Sequence, residues 1–129
     1  MTSCDLTIYG AGIFGLSIAY SCAKRGARVQ VIDPQGVAAG ASGGIVGALA
    51  PHTPENWNAK KAFQLESLLM ARTLWPEVEA LTGLSTGYAR TGRLQPIADE
   101  RALDLASSRQ EGAKALWGEA AEWTIIDNS

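Results

Sequence analysis

Three glycines within six residues, Gly10, Gly12 and Gly15 in "TIYGAGIFGLSIAYSCAKRGARVQVID", restrict this chain more than any other feature. Residues 4–9 ahead of them are short, apolar and partly β-branched, which predicts a strand buried on both faces. From Ile13 to Arg25, the small or apolar residues Gly15, Ile18, Ala19, Cys22 and Ala23 recur at helical spacing and give a face that can lie on a sheet. Lys24 and Arg25 oppose the negative helix end, and Gly26 offers a left-handed C′ residue. Residues 27–33 then read as a second strand. A strand, helix and strand of this length form a right-handed parallel crossover.

Each glycine has its own reason in such a unit. Gly10 permits the tight exit from strand one, Gly12 lets a diphosphate approach bare main chain, and Gly15 lets helix and strand pack closely. The helix start presents N–H groups and a positive dipole end to an anion. Asp33 stands about 20 residues further on, at the end of strand two, where its carboxylate can accept hydrogen bonds from ribose hydroxyls. The same charge repels a 2′-phosphate and disfavours NADP. Strand, turn, helix and distal acid together predict an α/β, Rossmann-like dinucleotide-binding unit with a parallel sheet.

After Pro34 comes "QGVAAGASGGIVGALAPH", uncharged until His52. A plain linker would carry no bulky apolar residues, whereas Ile45, Val46 and Leu49 recur here at one-turn spacing. They predict a short buried helix or turn. Its small residues would let backbone N–H groups approach a ligand, beside the hydroxyl of Ser42.

The stretch "GAGIFGLSIAYSCAKRGARVQVID", followed by "GASGGIVGALAP", resembles the N-terminal region of the FAD-dependent oxidoreductases grouped with D-amino-acid oxidase, glycine oxidase and sarcosine oxidase. "ASGGIVGALAP" is also similar to the FAD-dependent domain of bacterial tRNA-modifying 5-methylaminomethyl-2-thiouridine enzymes. The resemblance is strong over residues 5–52 and extends in outline beyond. It implies noncovalent FAD. Gly10, Gly12, Ile13, Phe14 and Gly15 would form the diphosphate turn, and Asp33 with Pro34 would meet the adenosine ribose. Ala41, Ser42, Gly43, Val46, Gly47, Ala48 and Leu49 would line a second approach to diphosphate and flavin. Gly44 departs from the family's frequent asparagine or alanine.

The resemblance further implies oxidation of a small-molecule amine or amino acid, with hydride passing from the carbon beside nitrogen to flavin N5 and an imine product. Dioxygen or another acceptor would reoxidise the flavin. Carboxylate-clamping residues usually come later in this family, so no catalytic residue is assigned. His52 is the one side chain singled out as able to tune the ring. Residues 1–83 would then be the N-terminal part of an FAD-binding domain and 84–129 the incomplete start of an α+β substrate domain. One crossover cannot supply a covered parallel sheet, so the chain reads as an N-terminal fragment. An NAD-dependent dehydrogenase would use the same first turn and acid, but gives no reason for the second glycine-rich stretch. A noncatalytic FAD-binding module is the other alternative.

In the remainder, Thr53, Pro54 and Glu55 predict a helix start. That helix has a stripe at Ala62, Leu65 and Leu69, a kink or restart at Pro76 and an end at Gly83. "RTGRLQPI" and "EWTII" predict strands, and Asp99 predicts the cap of a helix through Leu116. The net charge of −2 is spread along 129 residues, so neither nucleic acid nor an anionic membrane is expected as a partner. No run is long enough for a membrane span. Cys4 and Cys22 have neither CxxC spacing nor histidine neighbours, which predicts no metal site and a reducing, cytoplasmic setting. Oligomeric state leaves no mark in the sequence.

Overall fold

The computed structural model describes residues 3–45 and 47–126. The chain divides into two compact units, Met1–Ala48 and Leu49–Ser129.

The first unit holds strand β1 (Leu6–Tyr9), helix α1 (Ile13–Lys24) and strand β2 (Val29–Ile32). The strands pair in parallel, with Leu6 opposite Val29 and Tyr9 opposite Ile32. This mixed α/β start, with its parallel two-stranded sheet, matches a Rossmann-like opening. Both strands are shorter than expected. The ladder begins past Asp5, whose carboxylate accepts the Arg28 N–H at 2.9 Å and the Arg28 Nη2 at 2.9 Å. At the other end of α1, Gly26 takes φ +88° and donates to the Ala23 carbonyl at 2.9 Å, closing the helix as expected.

Burial in this unit is thinner than the sequence predicts. Ile8 is buried, but Leu6 and Tyr9 in the same strand are exposed, because a single crossover supplies only one covering helix. Within α1, Gly15, Ala19 and Cys22 are half-buried, whereas Ile18 and Ala23 are exposed.

The second unit holds helices α2 (Ala59–Thr82) and α3 (Glu100–Trp117). The α2 start differs from the expected Thr53. Asn58 is the cap, its side chain accepting from the Lys61 N–H at 3.1 Å, and the residues before it form a turn in which Asn56 has φ +51°. Pro76 neither ends nor restarts the helix. The helix runs straight through it, with Leu74, Trp75 and Val78 half-buried on either side. Gly83, at φ +68°, ends the helix as expected. Asp99 caps α3 by accepting the Ala102 N–H at 2.7 Å. The inner face of α3 is Ala106, Ala113 and Trp117.

Neither "RTGRLQPI" nor "EWTII" forms a strand in the described residues. An extended segment becomes a strand only by pairing, and the described sheet contains β1 and β2 alone. Among the described residues, no helix is long and apolar enough to cross a membrane.

Candidate cofactor site

The first turn is built from main chain. Gly10 leaves β1 at φ +104°, a conformation that side chains resist, and its N–H donates to the Ile32 carbonyl at 2.8 Å. Gly12 is the N-cap of α1 and brings no side chain to cap it. At Gly15 a Cβ would lie 1.9 Å from the Gly10 carbonyl oxygen, so only glycine lets the helix approach the turn this closely. Ala11, between the first two glycines, is 3% exposed.

Asp33 reaches back to this turn. One carboxylate oxygen accepts the Ala11 N–H at 2.8 Å, and the other accepts the Gln35 N–H at 2.9 Å. Those bonds, Ala11's first, hold the carboxyl below its usual range and keep it ionised. A carboxylate has about four lone-pair sites, so acceptor capacity remains for hydroxyl donors. Pro34 lies exposed in the turn that follows.

The second glycine-rich segment returns to the same place. The Ala11 carbonyl accepts the Ala38 N–H at 2.9 Å, and Ala38 adopts a left-handed φ of 57° to make the bond. A single 3₁₀ turn covers Ala41–Gly43. From it, Ser42 Oγ accepts the Ile13 N–H at 2.8 Å, so it caps the first N–H of α1. A Cβ on Gly12 would sit 3.0 Å from this hydroxyl, and one on Gly43 would sit 2.2 Å from the Ala38 carbonyl oxygen.

Gly10, Gly12, Ile13, Gly15, Asp33, Ser42 and Gly43 thus converge, with Ala41 beginning the 3₁₀ turn and Phe14 exposed beside it. Gly47 and Ala48 are exposed, and Leu49, in the second unit, is exposed as well. Val46 lies outside the described residues. The expected short buried helix or turn around Ile45 and Leu49 is not seen among the described residues, where both side chains are exposed. Ile45 is fully exposed, and the helical turn falls at 41–43, where Ser42 can bond to α1. His52 is tied by its main chain, its N–H donating to Gln64 Oε1 at 3.0 Å.

Comparison with known proteins decides what this geometry belongs to. The family profile described as "FAD dependent oxidoreductase", abbreviated DAO, matches residues 5–127. The chain belongs to this family. It is 35% identical over 121 residues to the bifunctional protein ThiO/ThiG of Nostoc sp., a match that covers 91% of this chain and 18% of that protein. It is 32% identical over 124 residues to the tRNA 5-methylaminomethyl-2-thiouridine biosynthesis bifunctional protein MnmC of Polaromonas sp., covering 95% of this chain and 18% of that protein. A third relative, the uncharacterized oxidoreductase YurR of Bacillus subtilis, is 36% identical over 107 residues, covering 79% of this chain and 27% of that protein. The chain therefore spans under a third of each of these relatives. No solved structure matches it.

FAD is the cofactor of this family. The residues at the first turn fit a dinucleotide on two counts. The Asp33 carboxylate is held at the turn rather than away from it, and a Cβ at Gly12 would fill the gap beside Ser42.

Sequence reading missed Ala11 and Ala38 as parts of the turn. Ala11 had a signal, since a small residue between two glycines leaves space for neighbouring main chain. Ala38 had none, because its left-handed conformation usually selects glycine or asparagine.

Proposed function

We propose that the longer protein oxidises an amine or amino acid, using FAD held at the Gly10–Gly15 turn of this chain. The observation that carries this reading is the Asp33 carboxylate on the Ala11 N–H, at the mouth of a turn with bare main chain, in a chain of the FAD dependent oxidoreductase family. FAD supplies a two-electron acceptor for the C–H bond beside nitrogen. Gly10, Gly12, Ile13, Phe14 and Gly15 form the diphosphate turn, which would hold the group through main-chain N–H groups other than those of Gly10 and Ile13, already given to Ile32 and Ser42. Asp33 accepts the ribose hydroxyls, with Pro34 beside it. Ala41, Ser42 and Gly43, with Val46, Gly47, Ala48 and Leu49, form the second approach, whose glycines and alanines leave main chain open to the cofactor. Residues 1–83 belong to the FAD domain and 84–129 open the substrate domain, in a protein that works in the cytoplasm.

Anaerobic addition of amines and amino acids to the yellow full-length protein tests this. Loss of the oxidised-flavin absorbance is expected with at least one of them. A colourless protein that binds NAD would favour a dehydrogenase, and a yellow protein that no amine bleaches would favour a noncatalytic module. A second substrate class follows from the relative named for tRNA 5-methylaminomethyl-2-thiouridine biosynthesis, which matches 95% of this chain: an amine carried on tRNA. Bleaching by tRNA bearing such an amine, but not by free amino acids, would select it. His52→Ala is expected to change turnover by less than about tenfold, because its main chain rather than its ring makes the bond to Gln64.

A further inference from the structure

A ring of hydrogen bonds closes on Ala11, the buried residue between the first two glycines. Its N–H donates to Asp33 Oδ2 at 2.8 Å, while Asp33 Oδ1 accepts the Gln35 N–H at 2.9 Å. A turn over 33–36, with Gly36 at φ +94°, then brings the chain back so that the Ala38 N–H donates to the Ala11 carbonyl at 2.9 Å. Both peptide groups of Ala11 are thereby fixed in direction. In a planar trans peptide the N–H and the C=O point opposite ways, so the bond from Ala11 to Asp33 also aims the Gly10 carbonyl. That is the oxygen that a Cβ on Gly15 would meet at 1.9 Å, so it faces α1. By the same rule, the Ala38 bond to the Ala11 carbonyl aims the Gly12 N–H the other way, and no described residue accepts it.

We infer that Asp33 is a positioning residue for the diphosphate turn, acting through Ala11, in addition to meeting the ribose. This role rests on the dinucleotide docking at Gly10–Gly15 as proposed above. Charge separates the two roles. A carboxylate that only stood near a diphosphate would repel it, so its removal would tighten a ligand that lacks ribose hydroxyls. A carboxylate that orders the turn does the reverse: without it the Ala11 N–H is left unpaired, the turn gains conformations, and the same ligand is weakened.

The test titrates the full-length apoprotein with ADP and with 2′,3′-dideoxy-ADP, which keeps the diphosphate but has no ribose hydroxyls, in wild type, Asp33→Ala and Asp33→Asn. Dideoxy-ADP affinity is expected to fall about tenfold in Asp33→Ala, and less in Asp33→Asn, whose amide oxygen can still accept one of the two N–H groups. ADP should fall further than dideoxy-ADP in Asp33→Ala, because it loses the ribose contacts as well. Hydrogen exchange at Ala11, read in the peptide spanning 7–14, should speed up about tenfold in Asp33→Ala, with exchange of α2 unchanged as the sign that the fold persists. If Asp33→Ala does not fold, the near-isosteric Asp33→Asn carries the same comparison. Dideoxy-ADP binding that is unchanged or tighter in the variants, with ADP alone weakened, would overturn the role and leave Asp33 a ribose acceptor only. Unchanged exchange at Ala11 would overturn it too. A wild-type protein that binds neither nucleotide would instead overturn the proposed function, while exchange at Ala11 would still judge whether Asp33 orders the turn.

Discussion

The glycine turn of the first unit and the 52–55 turn of the second are both tightly held, but by different means. At Gly10–Gly15 the chain is held by what side chains would prevent: a left-handed φ of +104° at Gly10 and a 1.9 Å conflict at Gly15 if a Cβ were present. At 52–55 it is held by what side chains supply, chiefly the Arg109 fork on Glu55. Main-chain devices tolerate almost no substitution, whereas side-chain devices can be exchanged or swapped. The two regions should therefore fail in different ways.

The largest effect is expected at Gly15. Gly15→Val places carbon against the Gly10 carbonyl, a backbone atom that cannot rotate aside, and should cost about 3 kcal/mol or more in urea unfolding of the full-length protein. Near-wild-type stability would mean that the turn can relax. Ser42→Ala removes the acceptor for the Ile13 N–H and should cost about 1 kcal/mol, as loss of a helix cap does. Ser42→Thr, which keeps the hydroxyl, should recover part of it.

At the second turn the effect should depend on pH. The hydrogen bonds from Arg109 lower the Glu55 carboxyl from 4.5 to about 2. Its contribution is therefore complete above about 4.5 and is lost as pH falls through about 2, where the folded state takes up the proton. The stability difference between wild type and Glu55→Gln should shrink across that window. A difference that stays constant down to about pH 2 would show that the pair does not carry it. The smallest effect is expected at Gly44→Ala, whose Cβ would meet the Ala41 carbonyl oxygen at an ordinary 3.4 Å. An unchanged melting temperature there would sharpen the contrast with Gly43, where the same change would put carbon 2.2 Å from main chain.

The same division explains what the sequence made legible. Glycines required by main-chain geometry, the acid at the end of β2 and the cap at Asp99 act locally or within one crossover, so spacing alone located them. The Glu55–Arg109 pair has no local signal, because two charges 54 residues apart look like solvated surface until α2 and α3 are placed. Thr53 with Pro54 and Glu55 imitates a helix start, and the tertiary grip on those residues moved the true start to Asn58. "EWTII" and "RTGRLQPI" have the composition of strands, but composition cannot say whether a partner strand is at hand. The second glycine-rich stretch was legible as ordered backbone near the first turn, though not in its helical register, which the Ser42 hydroxyl sets.

Equilibrium titration of the full-length apoprotein with FAD, wild type beside Gly12→Val, tests the placement of the cofactor most directly. Saturable binding by wild type, weakened at least a hundredfold in the variant while the fold measured by circular dichroism persists, is the result expected. Equal affinity in the two proteins would mean that the dinucleotide lies somewhere other than the first turn.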